Sequence, residues 1–226
     1  MKGEYVNSPF FVMRNLRFSD MLQIKEVTFV KSITSVKHRP KPLLPEFSFA
    51  GRSNVGKSSL INCLLNRNRL AKVSKSPGKT QTLNYFLVNQ QFFLVDLPGY
   101  GFARVPPAEQ NRWKRMIENY LINNKSLCML YVLVDALVGP KKNDFQLFEW
   151  LQFEEIPYQL ILTKTDRIGR QKQQQRAVEL RQLLNLNNVD SRVILFSSKT
   201  KAGRQELLNH MAECLTICKT YKDAFF

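Results

Sequence analysis

A glycine-rich loop is the first part of the sequence whose residue types and spacing could do chemistry. Residues 51–58, GRSNVGKS, match the pattern GxxxxGK[ST]. Glycines allow the backbone to wrap around phosphates, whose oxygens accept hydrogen bonds from N–H groups of the loop and of the following helix. The lysine of this pattern reaches the β- and γ-phosphates, and the serine hydroxyl ligates Mg²⁺. The predicted nucleotide contacts in this loop are Gly51, Arg52, Ser53, Asn54, Val55, Gly56, Lys57, Ser58 and Ser59, with Lys57 as a catalytic cation and Ser58 as a metal ligand.

A carboxylate followed by Leu-Pro-Gly supplies a second candidate metal ligand. Asp96 ends an apolar segment, and Leu97, Pro98 and Gly99 follow it. By itself this pattern is often only a turn at a strand end, because proline presets the backbone. After a phosphate loop, however, we interpret Asp96 as the partner of Ser58, holding Mg²⁺ through a coordinated water. The backbone N–H of Gly99 is then predicted to act as a catalytic group on the γ-phosphate, with Leu97 and Pro98 also against the nucleotide.

A third motif, Thr-Lys-Thr-Asp, predicts which base is bound. Guanine presents two adjacent donors, its N1–H and its exocyclic amine, which one carboxylate accepts together, whereas adenine offers no such pair. We therefore predict that Asp166 selects GTP over ATP and that the stem of Lys164 lies across the base, with Thr163 at the same strand end. The remaining predicted contacts, through backbone N–H groups that could meet guanine O6, are Ser197, Ser198 and Lys199.

These motifs need a sheet to position them, since each follows an apolar segment. Apolar strands and amphipathic helices alternate along the chain, which indicates a mostly parallel sheet covered on both faces. The predicted strands are 47–50, 84–88, 92–96, 128–135, 158–163 and 193–197, and the predicted helices are 57–65, 108–123, 143–154, 170–184 and 204–218. A further segment, 24–33, also has the pattern of a strand.

The fold class that follows is α/β. Three residues separate 84–88 from 92–96, so that pair is predicted to form an antiparallel hairpin. We predict a three-layer α/β/α sandwich, with a mostly parallel six-stranded sheet and one antiparallel edge hairpin. In such sheets ligands bind outside the carboxyl ends of the strands, which is where the motifs fall. Residues 1–21 are expected to be a flexible extension, and 22–226 a single domain.

Composition excludes several classes of protein. A chain of 226 residues with 44% hydrophobic residues is typical of one soluble domain. The longest apolar run, 127–134, is too short to span a membrane, and the N-terminus lacks the pattern of a secretory signal. We therefore expect a cytoplasmic protein with no membrane partner. The four cysteines lack metal-ligand spacing and are expected to be core thiols.

The charge of the chain predicts a polyanionic partner. The formal net charge is +16, and no acidic residue lies between Glu46 and Asp96. Nucleic acid or an anionic membrane face would attract such a chain, and we favour nucleic acid. The basic, glutamine-rich helix predicted at 170–184 could lie on RNA phosphates, but it could equally be a solvated outer face.

The order of the motifs resembles a known class. A phosphate loop, Asp-x-Pro-Gly, Thr-Lys-x-Asp and Ser-Ser-Lys occur in the order of the translation-factor-related GTPases. The segments GRSNVGKSSLIN, PGKTQTLNYF, VDLPGYGFA and TKTD closely resemble the EngB family of bacterial ribosome-assembly GTPases, over about 27–218. The resemblance implies the P-loop GTPase fold and a GTP/GDP switch in assembly of the large ribosomal subunit, in septation and in cell division. The implied partner is a precursor of that subunit, with its rRNA and ribosomal proteins, and the chain is expected to be a monomer.

The resemblance also implies roles for residues that no spacing argument assigns. It places the first switch at Gly78, Lys79 and Thr80. Thr80 would bind Mg²⁺ through its hydroxyl and the γ-phosphate through its N–H, as a metal ligand and catalytic group, and Thr82 is its rival. Thr163 stands where many GTPases have asparagine and would make fewer bonds to the phosphate loop.

Two positions bear on the rate of hydrolysis. Tyr100 stands where Ras-like enzymes have the glutamine that orients the attacking water, so intrinsic hydrolysis is expected to be slow, on the order of 10⁻³ s⁻¹ or less. Asn54 occupies the position at which some relatives of this class ligate K⁺ beside the phosphates, although it could merely support the loop.

Two alternatives from other functional classes are considered. One is a GTPase that acts in tRNA modification or ion transport, and the other is a septin-like GTPase that polymerises.

Overall fold

The structure is a computed structural model that describes residues 22–67, 70, 82–100, 107–122, 124–184 and 192–225. Its strands are β1 (Val27–Ile33), β2 (Glu46–Gly51), β3 (Leu83–Val88), β4 (Phe92–Asp96), β5 (Leu127–Asp135), β6 (Tyr158–Thr163) and β7 (Ile194–Leu195). Its α-helices are α1 (Lys57–Leu64), α2 (Pro107–Ile122), α3 (Lys142–Phe153), α4 (Arg170–Leu183) and α5 (Arg204–Phe225). Short 3₁₀ turns lie at Val36–His38 and Thr165–Arg167.

The sheet has seven strands in the order β1-β3-β4-β2-β5-β6-β7, which corrects the prediction of six. The hairpin of β3 and β4 is antiparallel as predicted, but it is not at the edge, because β1 pairs antiparallel with β3 outside it. β4, β2, β5, β6 and β7 pair in parallel, so β3 alone runs against the other strands. Most side chains of β1 are exposed, so the strand is held mainly by backbone pairing, which hydrophobic patterning does not reveal.

The two faces of the sheet are covered by different helices, and this confirms the three-layer sandwich. Successive side chains of a strand point to opposite faces. One core cluster joins the sheet to α1 and α5 and includes Phe47, Phe49, Tyr131, Leu60, Ile61, Leu207 and Met211. The other joins the sheet to α2, α3 and α4 and includes Ala50, Leu130, Val132, Tyr120, Phe148 and Leu180. Truncating one of these buried aromatic side chains would cost about 3–5 kcal/mol of stability.

The parallel strands bring the predicted motifs to one edge of the sheet. β2, β4, β5 and β6 end at Gly51, Asp96, Asp135 and Thr163, and the registers align Phe49 with Asp96 and Asp135 with Thr163. β7 is shorter than the predicted strand 193–197, because the backbone N–H of Ser197 donates to Ala202 in a turn.

Two of the four cysteines differ from the expectation of core thiols. Cys128 of β5 and Cys218 of α5 form a disulfide, with Cα atoms 6.0 Å apart, whereas Cys63 and Cys214 are free. α5 packs across β5, which brings the two residues together despite a separation of 90 positions in sequence. In the described ranges no helix combines the length and the apolar character that a membrane span requires.

Candidate functional site

The phosphate loop joins the end of β2 to the start of α1. Its backbone turns through Asn54 and Gly56, whose φ angles are 63° and 103°. The second angle lies where side chains are strained, so glycine suits position 56. A Cβ atom on Gly51 would lie 2.8 Å from Val55 and 3.1 Å from Leu133, so packing requires the first glycine as well.

The predicted catalytic cation and the predicted metal carboxylate meet at this loop. Lys57 begins α1 and forms an ion pair with Asp96 at the end of β4. Their side chains are only 10% and 6% exposed, so each charge is largely removed from water. Ser58, the other predicted metal ligand, is half-buried in the same helical turn. One ammonium, one carboxylate and one hydroxyl are therefore grouped around the loop.

The segment after Asp96 lies against the phosphate loop. Leu97 donates its N–H to Phe49 at 3.1 Å and lies, like Pro98, in the buried part of the chain. Gly99 is close to Ser53: a Cβ atom on the glycine would lie 3.3 Å from the serine Oγ. That hydroxyl is buried and has no hydrogen-bond partner among the described residues, as expected of a group that a phosphate oxygen could satisfy.

The side chain of Tyr100, at the position where Ras-like enzymes have glutamine, is directed to α3. Its hydroxyl donates to Asp144 Oδ1 in α3 at 2.8 Å. Burial, and then the neighbouring Asp144, raises the pKa of this phenol well above its usual value, so it stays a donor. The hydroxyl of Tyr100 is therefore engaged by α3. Asp144 was not among the predicted site residues.

At the other end of the site, Thr163 is fastened to the phosphate loop. Its hydroxyl lies 2.7 Å from the carbonyl oxygen of Val55 and 3.2 Å from that of Val134. Lys164 follows in the left-handed conformation with φ at 57°. The loop contact predicted for the threonine is therefore present, as a single bond to the loop.

Lys164 connects three parts of the site. Its ammonium donates to the carbonyl oxygen of Asn54 at 2.6 Å and to Asp135 Oδ2 at 2.7 Å. Asp135 also accepts the N–H groups of Leu137 and Val138. Burial acts to raise the pKa of Asp135, but the bonds from Lys164, Val138 and Leu137 outweigh it, and the pKa is lowered. The sequence analysis missed Asp135, although it ends a central strand at the edge where the motifs lie.

Asp166 is held in place by the last motif. Ser197 Oγ donates to Asp166 Oδ1 at 2.7 Å and accepts the backbone N–H of Thr200 at 3.2 Å. Asp166 is exposed, so its other oxygen can face a ligand. Ser198 and Lys199 form the turn that follows. The structure thus brings the Thr-Lys-Thr-Asp and Ser-Ser-Lys motifs together.

The first switch is only partly within the described residues. Gly78, Lys79 and Thr80 lie outside them. Thr82 is described, and its hydroxyl donates to Asn84 Oδ1 at 3.1 Å at the start of β3. No group of three metal-ligating side chains exists within the described ranges. One hydroxyl and one carboxylate nevertheless fit Mg²⁺ on a nucleotide, because that ion usually takes few protein ligands alongside phosphate oxygens and water.

The chain is similar to known GTP-binding proteins over most of its length. Residues 46–164 match the family model described as 50S ribosome-binding GTPase. The chain is 43% identical over 195 residues to "Probable GTP-binding protein EngB" of Fusobacterium nucleatum, covering 86% of this chain and 99% of that one. It is also 43% identical over 185 residues to the protein of the same name in Bacillus subtilis, covering 82% and 94% of the two chains.

Solved structures agree with the fold. The crystal structure of a probable GTP-binding protein engB superposes with a TM-score of 0.64 at 26% identity, covering 76% of this chain and 98% of that chain. Era in complex with MgGDPNP and nucleotides 1506–1542 of 16S ribosomal RNA superposes with a TM-score of 0.59 at 18% identity, covering 75% and 56%. At that identity the likeness to Era concerns the fold alone.

Proposed function

Because the chain belongs to the EngB family of GTP-binding proteins and is a GTPase, we propose that it is a molecular switch in the assembly of the large ribosomal subunit. GTP orders the segments around Thr80 and Gly99, and the ordered face binds a precursor of that subunit, with its rRNA and ribosomal proteins. Hydrolysis then releases the protein. The description of the matched family as a 50S ribosome-binding GTPase supports the large subunit as the partner.

The grouping of Lys57, Asp96 and Ser58 at one loop is the observation that carries the GTPase part of the proposal. In the nucleotide complex, Lys57 binds the β- and γ-phosphates, while Asp96 holds Mg²⁺ through a water. When bound, Mg²⁺ would supply positive charge that offsets the negative charge developing on the phosphates, and Ser58, Thr80 and Asp96 would hold it. The remaining proposed phosphate and metal contacts are Gly51, Arg52, Ser53, Asn54, Val55, Gly56, Ser58, Ser59, Gly78, Lys79, Thr80, Leu97, Pro98 and Gly99.

Base selection is proposed to rest on Asp166. Ser197 occupies one side of this carboxylate, which leaves acceptor sites for the N1–H and the amine of guanine. The stem of Lys164 lies across the base while its ammonium stays on Asp135. Backbone N–H groups of Ser198 and Lys199 face guanine O6, which adenine lacks. The N–H of Ser197, also predicted for this role, donates instead to the carbonyl oxygen of Ala202.

A potassium ion at Asn54 is a secondary proposal. This residue is exposed, and its backbone has a left-handed conformation with φ at 63°. A cation beside the α- and γ-phosphates would offset charge in the transition state. Replacing K⁺ by Na⁺ in a GTPase assay, with and without ribosomal particles, tests it; equal rates in both salts would refute potassium activation.

The ribosomal role is tested by sedimentation. The formal net charge of +16 supports an RNA-rich partner. We expect the chain to comigrate with large-subunit precursors when a non-hydrolysable GTP analogue is present, and to leave them with GDP. Asp166→Asn, with GTP analogue at the same concentration, should lose comigration. Nucleotide-independent sedimentation, or filaments of the protein alone, would contradict the proposal, the latter in favour of a septin-like GTPase.

The expected domain organisation, oligomeric state and localisation are part of the same proposal. Residues 22–226 would form one GTPase domain with residues 1–21 as an extension, and the chain would act as a monomer in the cytoplasm. A role in septation and cell division would be indirect, because a defect in ribosome assembly would impair both.

A further inference from the structure

Tyr100 is the residue that links the end of the Asp-x-Pro-Gly motif to two other parts of the molecule. It follows Gly99 directly, and its hydroxyl donates to Asp144 Oδ1 at 2.8 Å. Its backbone N–H donates to the carbonyl oxygen of Gly51 at 3.3 Å, and its own carbonyl accepts the N–H of Ser53 at 3.2 Å. Tyr100 is therefore bonded to α3 through its side chain and to the phosphate loop through its backbone.

Asp144 is a rigid anchor for the phenol. It is 1% exposed and lies in the first turn of α3. Its second oxygen, Oδ2, accepts the backbone N–H of Lys141 at 2.7 Å, while its own N–H donates to the carbonyl oxygen of Lys141 at 2.8 Å. This reciprocal cap fixes the carboxylate without help from the nucleotide. α3 is in turn held in the core by Phe148 and Leu151, which are fully buried.

Gly99 directly precedes Tyr100 and itself lies against the phosphate loop. Its Cα is so close to the phosphate loop that a Cβ atom would be 3.3 Å from Ser53 Oγ and 3.5 Å from the carbonyl oxygen of Gly51. On its C-terminal side the glycine is tethered by Tyr100, which cannot move without breaking the bonds to Asp144 and to the loop.

We infer that Tyr100 is a positioning residue for GTP hydrolysis, which acts through its hydrogen bond to Asp144 by holding the Gly99 N–H at the γ-phosphate end of the loop. A glutamine at position 100 would act on the attacking water, whereas the tyrosine acts on the backbone beside it. The inference goes beyond the proposed ribosomal role and does not depend on it, because it concerns hydrolysis by the isolated chain.

The inference predicts which nucleotide is affected. The Gly99 N–H is proposed to bind the γ-phosphate, which GDP lacks. Loosening the anchor should therefore lower kcat for GTP and weaken binding of a non-hydrolysable GTP analogue, while the Kd for GDP stays the same. A tyrosine that only stabilised the fold would change both affinities together or neither.

Tyr100→Phe is the direct test, because it removes only the hydroxyl. The lost bond joins a hydroxyl to a carboxylate and is charge-assisted, so we expect kcat to fall by about tenfold. The Kd for the GTP analogue should rise severalfold, with the Kd for GDP within about twofold of the original value. Tyr158→Phe is the matched control: Tyr158 is a half-buried tyrosine remote from the phosphate loop whose hydroxyl accepts from Gln152, and its loss should leave kcat unchanged.

Asp144→Asn tests the other end of the same bond and keeps the experiment decisive if Tyr100→Phe does not fold. Asparagine offers one acceptor oxygen to two donors, the Tyr100 hydroxyl and the Lys141 N–H, so the bond to Tyr100 is weakened and kcat should fall, though less than in Tyr100→Phe. In the double variant the losses should not add, because both changes break one interaction. Additive losses, an unchanged kcat with a lowered Tm, or equal loss of GDP and GTP-analogue affinity would each overturn the inference.

Discussion

At the base end of the site, the base-reading carboxylate of Asp166 is exposed and is held by a neutral hydroxyl, whereas at the phosphate end the two central charged side chains are bonded to each other. Ser197 holds Asp166, and Thr163 bonds the carbonyl oxygen of Val55. Lys57 and Asp96, by contrast, form a largely buried ion pair. In the proposed complex this pair must open, since lysine is needed at the phosphates and aspartate at the metal.

The difference separates two tasks. Recognition of guanine needs donors and acceptors fixed in one geometry, because selectivity comes from leaving the wrong base unsatisfied. A switch needs groups that exchange partners when the γ-phosphate arrives or leaves. The base end should therefore affect all guanine nucleotides equally, and the phosphate end should affect the triphosphate and its hydrolysis most.

Removing the cation of the phosphate end should have the largest effect. Lys57→Ala deletes the charge proposed to bind the β- and γ-phosphates, so kcat/KM for GTP should fall at least about 100-fold. Steady-state phosphate release measures it. Lys172→Ala, on the exposed face of α4, is the control and should leave kcat/KM within twofold. An active Lys57→Ala enzyme would contradict the assignment of the loop.

Changing the base reader should have the next largest effect and should spare the chemistry. Asp166→Asn removes an acceptor that both guanine donors need, so GTP should bind about 100-fold more weakly. Asparagine offers one acceptor and one donor, which matches xanthine, so xanthosine triphosphate should recover binding. Competition assays with GDP and xanthosine diphosphate measure the switch in base. If kcat with xanthosine triphosphate does not approach the original kcat with GTP, the two ends are not separable.

A smaller effect is expected from the residue that holds the base reader. Ser197→Ala removes one hydrogen bond to Asp166, worth about 1 kcal/mol, so affinity should fall about fivefold. The loss should be equal for GDP and for a GTP analogue, which calorimetric titration can compare. Thr216→Ala is the control, because that hydroxyl donates to the carbonyl oxygen of Ala212 in its own helix. A loss confined to the GTP analogue would break the comparison between the two ends.

The smallest effect concerns the ion pair of Asp135 and Lys164. The pKa of Asp135 is lowered from 3.8, so the folded chain binds this proton less readily than the unfolded chain. The stabilisation is therefore fully present above the unfolded pKa of 3.8 and is lost as pH falls through the lower, folded pKa. Asp135→Asn should lower Tm by about 2–4 °C at neutral pH, with the difference shrinking below pH 3.8. A difference that grows on acidification would contradict this sign.

Much of the fold could be predicted because it depends on local patterns. Buried strands such as β5 are predicted from continuous apolar runs, and amphipathic helices such as α1 from the helical spacing of apolar residues. The hairpin of β3 and β4 is predicted from the short connection between them. The pattern of 24–33 predicts the strand β1, but it does not predict the place of β1 at the sheet edge. Its pairing with β3 is a backbone interaction between distant segments, which side-chain pattern does not encode.

The site could be predicted as far as its motifs reach. Lys57, Asp96 and Asp166 are predicted as site residues because each stands in a short pattern beside a strand end. Asp144 could not be found, since its partner Tyr100 is 44 positions away and only the packing of α3 brings them together. The disulfide between Cys128 and Cys218 depends on tertiary packing in the same way.

Binding of four nucleotides to the purified chain tests the central claim most directly. GTP, GDP, ATP and ADP are titrated by calorimetry in the presence of Mg²⁺. The account predicts one site that binds the guanine nucleotides at least about 1,000-fold more tightly than the adenine nucleotides. Equal or tighter binding of ATP, or no binding of GDP and GTP with magnesium present, would contradict it.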